Sequence, residues 1–154
     1  GQHYTVEAFD AFDNSRGDVT ARTTFTVDGG GNCIANSCTA TTAGKHIVTA
    51  TFHSKSATAK LRVTAAALDH LTRTPATATI HPGGSVKYHA TARDQFGNNR
   101  GDVTARTTFT VDGGGNCVGS TCTASTEGDH TVTGTFHGVT GTATLTVKAK
   151  PRFV

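Results

Sequence analysis

Along much of the chain, apolar residues fall on every second position. Val86, Tyr88, Ala90 and Ala92 alternate with polar neighbours. Phe109 and Val111 do the same, then His130, Val132, Gly134 and Phe136, then Ala143, Leu145 and Val147. Period two marks a strand with one face in a core. Residues 68–72 and 78–80 read as a split first strand, broken by Pro75. Turn chemistry separates the strands: Pro82-Gly83-Gly84, then Asp94-Gln95-Phe96-Gly97-Asn98, then Glu127-Gly128 and residues 138–141. No stretch keeps a helical period with caps, which excludes βαβ folds. Six or seven short strands, with turns every 8–12 residues or so, predict an all-β sandwich or barrel.

The pattern occurs twice. Residues 16–33 read RGDVTARTTFTVDGGGNC, and residues 100–117 are identical. The offset of 84 carries Tyr4 onto Tyr88, Asp10 onto Asp94, His46 onto His130 and Leu61 onto Leu145. A period of this length suits a small independent domain and is too long for a solenoid turn. The expected division is 1–65, 66–149 and a tail at 150–154 that could begin a further repeat. The first copy has no counterpart of residues 66–84, roughly its first strand and turn. The expectation is a piece of a longer chain. The rival expectation is a strand donated by another copy, with the tail at 150–154 as donor.

In order along each copy come a D-x-F-G-N turn at 94–98, a TTFTV strand, and a G-x-H-x-V-T-G-T-F strand at 128–136. This arrangement resembles the bacterial Ig-like repeats of surface proteins and of invasin/intimin-type adhesins, over nearly the whole chain. The resemblance implies two tandem immunoglobulin-like, Greek-key β-sandwiches of about seven strands each, used as spacers or adhesive modules without catalysis. Two departures stand out. Asp13 takes the turn glycine's place in copy one, which aspartate tolerates, and a cysteine loop is not general in such repeats.

Composition supports strands. About one residue in five is threonine, far above ordinary usage and suited to a half-solvated pleated surface. Charged residues make up 16% of the chain, with a net charge of +3 and no basic run. A nucleic-acid or membrane surface would need clustered charge, so neither is expected as a partner. No apolar run is long enough to span a membrane as a helix.

The four cysteines form two equivalent pairs, Cys33 with Cys38 and Cys117 with Cys122. The reading is one local disulfide per copy, placing the protein outside the cytoplasm. A four-thiolate zinc site would need both loops to fold together, at a spacing longer than C-x2-C. Reduced thiols are the other alternative. The Asp-Gly-Gly-Gly-Asn stretch before each pair leads into no helix and no Lys-Ser or Lys-Thr, so it reads as a flexible inter-strand loop rather than a phosphate cradle.

His46 and His130 share a face with Phe52 and Phe136. All four are expected to be structural core, the histidines with backbone partners. His53 and His137 should be solvated, His3 and His89 do not recur, and His70 and His81 lie in the stretch that copy one lacks, where recurrence gives no test; no calcium-loop spacing is present. No catalytic residue, metal ligand or cofactor is expected. The Arg16-Gly17-Asp18 and Arg100-Gly101-Asp102 tripeptides match an integrin-ligand signature, a three-residue signal with a plain turn explanation.

The expected function is an extracellular structural or adhesive module of a stalk, spacer or filament. Its expected partners are neighbouring Ig-like repeats, or the same protein by strand donation. The alternative is a carbohydrate-binding or host-receptor-binding module, whose partner would be a glycan or host-surface ligand. Sugar platforms need exposed aromatics, and most of the eight phenylalanines are expected to point inward.

Overall fold

The computed structural model describes residues 1–153, so Val154 of the expected tail lies outside the described residues. The chain forms two compact units, one from Gly1 to Ala65 and one from Ala66 onward. The first holds β1 (Gln2–His3), β2 (Glu7–Phe9), β3 (Ser15–Asp18), β4 (Thr24–Val27), β5 (Asn32–Ile34), β6 (Ser37–Thr39), β7 (Gly44–Phe52) and β8 (Lys55–Val63). The second begins with β9 (His70–Thr74), β10 (Thr77–Ile80), β11 (Gly84–Lys87), β12 (His89–Arg93) and β13 (Asn99–Asp102). It continues with β14 (Thr108–Val111), β15 (Asn116–Val118), β16 (Thr121–Ala124), β17 (Gly128–Phe136) and β18 (Val139–Val147).

Unit 2 is an immunoglobulin-like sandwich. One sheet runs β10-β18-β17-β14, with β10 parallel to β18 and the other pairs antiparallel. The opposing layer is built on residues 84–93. Its first half, β11, pairs with β16, which pairs in turn with β15, and its second half, β12, lies between β9 and β13. The ladder changes partner at Tyr88, whose N–H donates to the Ser120 carbonyl at 2.8 Å. The Tyr88 ring, fully buried, lies 6.2 Å from that of Phe109 between the layers. Alternation does what it should: Val132, Phe136, Ala143, Leu145 and Val147 all face the core.

There are more strands than the expected seven. The 84–93 strand divides, and two short strands, β13 and β15, come from segments to which no strand was assigned. Both pair across tight hairpins whose polar sequences carry no alternation signal. The strand expected from residue 107 starts at Thr108, after a 3-10 turn at Thr104–Arg106.

Unit 1 repeats this plan without β9 and β10. Its sheets run β4-β7-β8, β1-β6-β5 and β2-β3. The outer edges of β8 and β2, which in unit 2 receive β10 and β9, carry no strand among the described residues. Unit 2's core cluster has thirteen buried residues, and that of unit 1 has three: Phe25, Cys38 and Val48. Phe52, expected in the core, is therefore only half-buried, whereas Phe136 is buried.

Candidate functional site

Three recurring constellations carry the residues singled out above. The first is the hairpin joining β12 to β13. Asp94 is fully buried, and its Oδ1 accepts the N–H groups of Phe96 and Asn98 at 2.9 and 2.8 Å. Its Oδ2 accepts the Asn98 side-chain amide and the Ala66 N–H, both at 2.8 Å. Burial works against the charge, but the donors from Asn98, Ala66 and Phe96 hold the carboxyl down at about 2. The Arg100 guanidinium donates to the Ala66 carbonyl. One residue at the start of the unit is thus gripped at both its N–H and its C=O.

The Arg-Gly-Asp tripeptides form β3 and β13, exposed on the outer strand of the hairpin rather than at its tip. Gly17 and Gly101 have φ of 90° and 110°, so a side chain there would be strained. Asp18 and Asp102 each accept the N–H of the threonine two residues on, at 2.7 and 2.8 Å, and are held below the ordinary carboxylate range by that threonine. The threonine in turn reaches the opposite strand: Thr104 Oγ1 accepts the Ala90 N–H at 2.9 Å.

The second constellation surrounds the histidines. His46 and His130 are 5% exposed. In His130, Nε2 lies 2.7 Å from the Thr126 carbonyl and Nδ1 lies 3.0 Å from the Asp112 carbonyl. His46 meets Thr42 and Asp28 in the same way, at 2.7 and 3.2 Å. A carbonyl only accepts, so only the doubly protonated ring satisfies both partners. The Thr42 carbonyl for His46, and the Thr126 carbonyl for His130, raise the ring above its ordinary value. Burial opposes this, and Asp28 and Asp112 assist. In this geometry both ring nitrogens of each histidine face backbone carbonyls of the same unit.

The glycine stretch closes over that ring. A Cβ on Gly113 would lie 2.5 Å from His130 Nδ1, and one on Gly115 would lie 2.7 Å from the Thr123 carbonyl. Asp112 Oδ1 accepts the Thr131 N–H at 2.9 Å. The expected flexible loop is instead a packed turn, with glycine required by close approach. It leads into the β15–β16 hairpin, where Cys117 stands directly opposite Cys122. Cys33–Cys38 and Cys117–Cys122 are disulfides, and Cys38 and Cys122 are fully buried. Among the described residues, no group of three or more His, Cys, Asp and Glu is gathered as metal ligands.

The third constellation is aromatic and was missed. Phe9, Phe12, Phe96 and Phe153 are exposed, so half of the eight phenylalanines lie outside. Phe12 and Phe96, 86% and 55% exposed, occupy the same hairpin turn in the two units. Their recurrence in a D-x-F-x-N turn, between two residues committed to the backbone, was the available signal.

No protein-family model matches the chain, and no curated protein matches it. Among solved structures it is similar to domains 4 and 5 of the S-layer protein SbsC, at 19% identity and a TM-score of 0.42, over 93% of this chain and 80% of that one. A longer SbsC structure, residues 31–844, matches at 19% identity and a TM-score of 0.39. The match covers 96% of this chain, which spans only 23% of that protein's length. The Escherichia coli adhesin FdeC matches at 22% identity and a TM-score of 0.44, over 82% of this chain and 49% of that one.

Proposed function

We propose that the chain is a pair of tension-bearing repeats of an extracellular surface structure, a stalk or spacer without chemistry of its own. The observation that carries this reading is the parallel pairing of β10, the second part of unit 2's split first strand, with its last strand, β18. Thr77, Ala78, Thr79 and Ile80 stand beside Thr144, Leu145, Thr146 and Val147. Because these strands run the same way, the chain enters unit 2 at one end and leaves at the other. Tension on the two ends loads the β10–β18 ladder in shear, along the strands and across their hydrogen bonds, so the bonds are loaded together. The buried, paired cysteines suit an oxidising exterior.

A second reading, ligand adhesion, is favoured by the recurring exposed Phe12 and Phe96. An aromatic ring on a pinned hairpin offers apolar area to a glycan or protein at little entropic cost.

Force spectroscopy tests the first reading. The chain is pulled by its ends and, separately, between residues 128 and 147, which stand opposite each other at the open end of the β17–β18 hairpin, so that β18 peels from β17 one bond at a time. End-to-end pulling of unit 2 is expected to need several-fold the force of peeling. Lys148→Pro, which removes the Lys148 N–H donated to the Ile80 carbonyl, is expected to lower the end-to-end force alone. Equal forces in both geometries would refute the tension-bearing role.

A further inference from the structure

Unit 2 carries a pocket for which the tension-bearing role has no use. Its volume is about 250 Å³. The floor is apolar, made by Leu68, Ala92, Val103 and Phe136, and the rim is Arg100, Arg106 and His137. Ala92, Val103 and Phe136 are buried and Leu68 is half-buried, whereas the three rim residues are exposed. Among the described residues, no carboxylate, hydroxyl or amide side chain lines it. A pocket of this size suits a molecule smaller than a drug-sized ligand.

Each rim residue is positioned from within the unit. Arg100 donates to the Ala66 carbonyl, and that segment leads directly to Leu68. The Arg106 guanidinium lies over the Phe136 ring, 5.1 Å from its centroid. Among the described residues it has no hydrogen-bonded or ion-paired partner. A guanidinium stacked on a ring keeps its N–H donors in its own plane, so they remain open to a second partner. His137 is the first residue of the β17–β18 turn, with φ of 48°, and Gly138 follows at 78°. Asparagine serves such a turn better than histidine does. Histidine nevertheless recurs there as His53, at φ of 45°. The His137 ring lies 4.2 Å from that of Phe136, at the pocket, so the turn alone does not explain it.

The chemistry of the lining selects the occupant. Two guanidiniums favour a carboxylate, whose paired oxygens match their fork of donors. The floor favours a hydrocarbon body. A sugar would leave hydroxyls without partners against that floor, and Arg106 already covers a face of Phe136 that could serve as its platform. A free amino acid would bring its ammonium group beside two guanidiniums, which repel it. Unit 1 has Arg16, Arg22 and His53 at the matching positions, but Glu7 lines its cavity where unit 2 has Thr91. A carboxylate already in place competes with an incoming one, so unit 2 is the better host.

We propose that this pocket of unit 2 binds a small hydrophobic monocarboxylic acid in its ionised form. The carboxylate sits at the rim of Arg100, Arg106 and His137, and the apolar body rests on Leu68, Val103 and Phe136. The inference rests on the geometry of this pocket and stands or falls apart from the tension-bearing role.

The test uses the whole chain with benzoate as the probe. Calorimetry measures binding, and NMR shifts of the Leu68 and Val103 methyl groups locate it. Benzoate is expected to shift those methyls saturably, with a dissociation constant of about 1 mM or lower, as suits so small a ligand. Benzamide has the same shape without the charge and is expected to bind roughly ten-fold more weakly. Arg106→Gln keeps a planar group over Phe136 and is expected to weaken benzoate by roughly the same factor. His137→Asn suits the turn, so unit 2 stays folded, and it is expected to weaken benzoate several-fold. Equal binding of benzoate and benzamide would overturn the proposal, as would the absence of saturable shifts at Leu68 and Val103. So would unchanged benzoate affinity in a folded His137→Asn chain. Displacement of benzoate by an equal concentration of sulfate, at matched ionic strength, would overturn the part given to the apolar floor. Tighter binding of N-acetylphenylalanine than of benzoate would overturn the assignment to a free acid, because the carboxyl end of a polypeptide would then be the occupant.

Discussion

Leu145 and Leu61 occupy the same place in the two repeats, opposite His130 and His46, yet they should not be worth the same. Leu145 is fully buried, beside Ala78 of β10. Leu61 is half-buried on a strand whose outer edge is open. Truncation to alanine removes three carbons, about 2.5 kcal/mol of transfer free energy when burial is complete. In Leu145 the space is walled by both sheets and should remain largely as a cavity, bringing the cost to about 4 kcal/mol. In Leu61 part of the side chain is already in water and the space opens to solvent, so about 1.5 kcal/mol is expected. The difference of roughly 2.5 kcal/mol corresponds to roughly 10–20 °C in melting temperature for a unit of this size. Each unit holds one tyrosine, Tyr4 or Tyr88. Replacing one by phenylalanine therefore leaves the other as sole fluorescence reporter of its own unit. Urea unfolding of Leu145→Ala and Leu61→Ala in these backgrounds gives the two costs directly. Equal costs would mean that the unit 1 face is closed in solution, and the reasoning from its open edge would fail.

The raised histidines predict a pH dependence opposite to that of acid unfolding. A group whose folded value lies above its unfolded one contributes fully below the unfolded value, about 6.5. That contribution disappears as pH rises through the folded value. The stability difference between the native chain and His130→Asn should therefore shrink as pH is raised from 6 upward, and a constant difference would show that folding leaves the ring's pKa where it is in the unfolded chain. Cys117→Ala with Cys122→Ala should cost unit 2 about 2 kcal/mol by the chain-entropy relation for so short a loop, read as a shift in urea midpoint without a change of slope. A loss of cooperative unfolding would instead mean that the hairpin staples the whole fold.

Much of the fold was open to inspection in the chain itself, because its dominant signal is local. Period-two burial places Val132, Leu145 and Val147 in the core with no knowledge of their neighbours. What stayed hidden depends on partners far along the chain. That 84–93 serves two different ladders depends on the Ser120 carbonyl that takes the Tyr88 N–H. The half-burial of Phe52 depends on a strand that covers only its counterpart. The glycine turn looked flexible because glycine gives no sign of whether it is chosen for freedom or for proximity. The His130 ring against Gly113 decides for proximity. The exposed Phe96 was misjudged for a related reason: in a turn, alternation says nothing about direction.

The identical stretch at 16–33 and 100–117 invites a shared ligand, and its Arg-Gly-Asp start invites a particular one. Bond by bond, the fold already accounts for much of it. Arg100 donates to the Ala66 carbonyl, Gly101 takes a positive φ, and Asp102 holds the Thr104 N–H. Thr104 reaches Ala90, and Thr107 donates to the Val103 carbonyl. Arg106 lies over the Phe136 ring, Phe109 packs on Tyr88, Asp112 takes the Thr131 N–H, and the glycines admit His130 and the Thr123 carbonyl. A segment in which most side chains have a fixed partner inside the same unit loses stability with most substitutions. Two copies can then remain alike for that reason alone. The hairpin phenylalanines are different, because nothing in the turn requires a ring. Asp94 grips the backbone of residue 96 and not its side chain. An aromatic side chain kept in both copies and left in solvent is therefore a feature that folding does not explain, and it is where a search for an adhesive partner should begin.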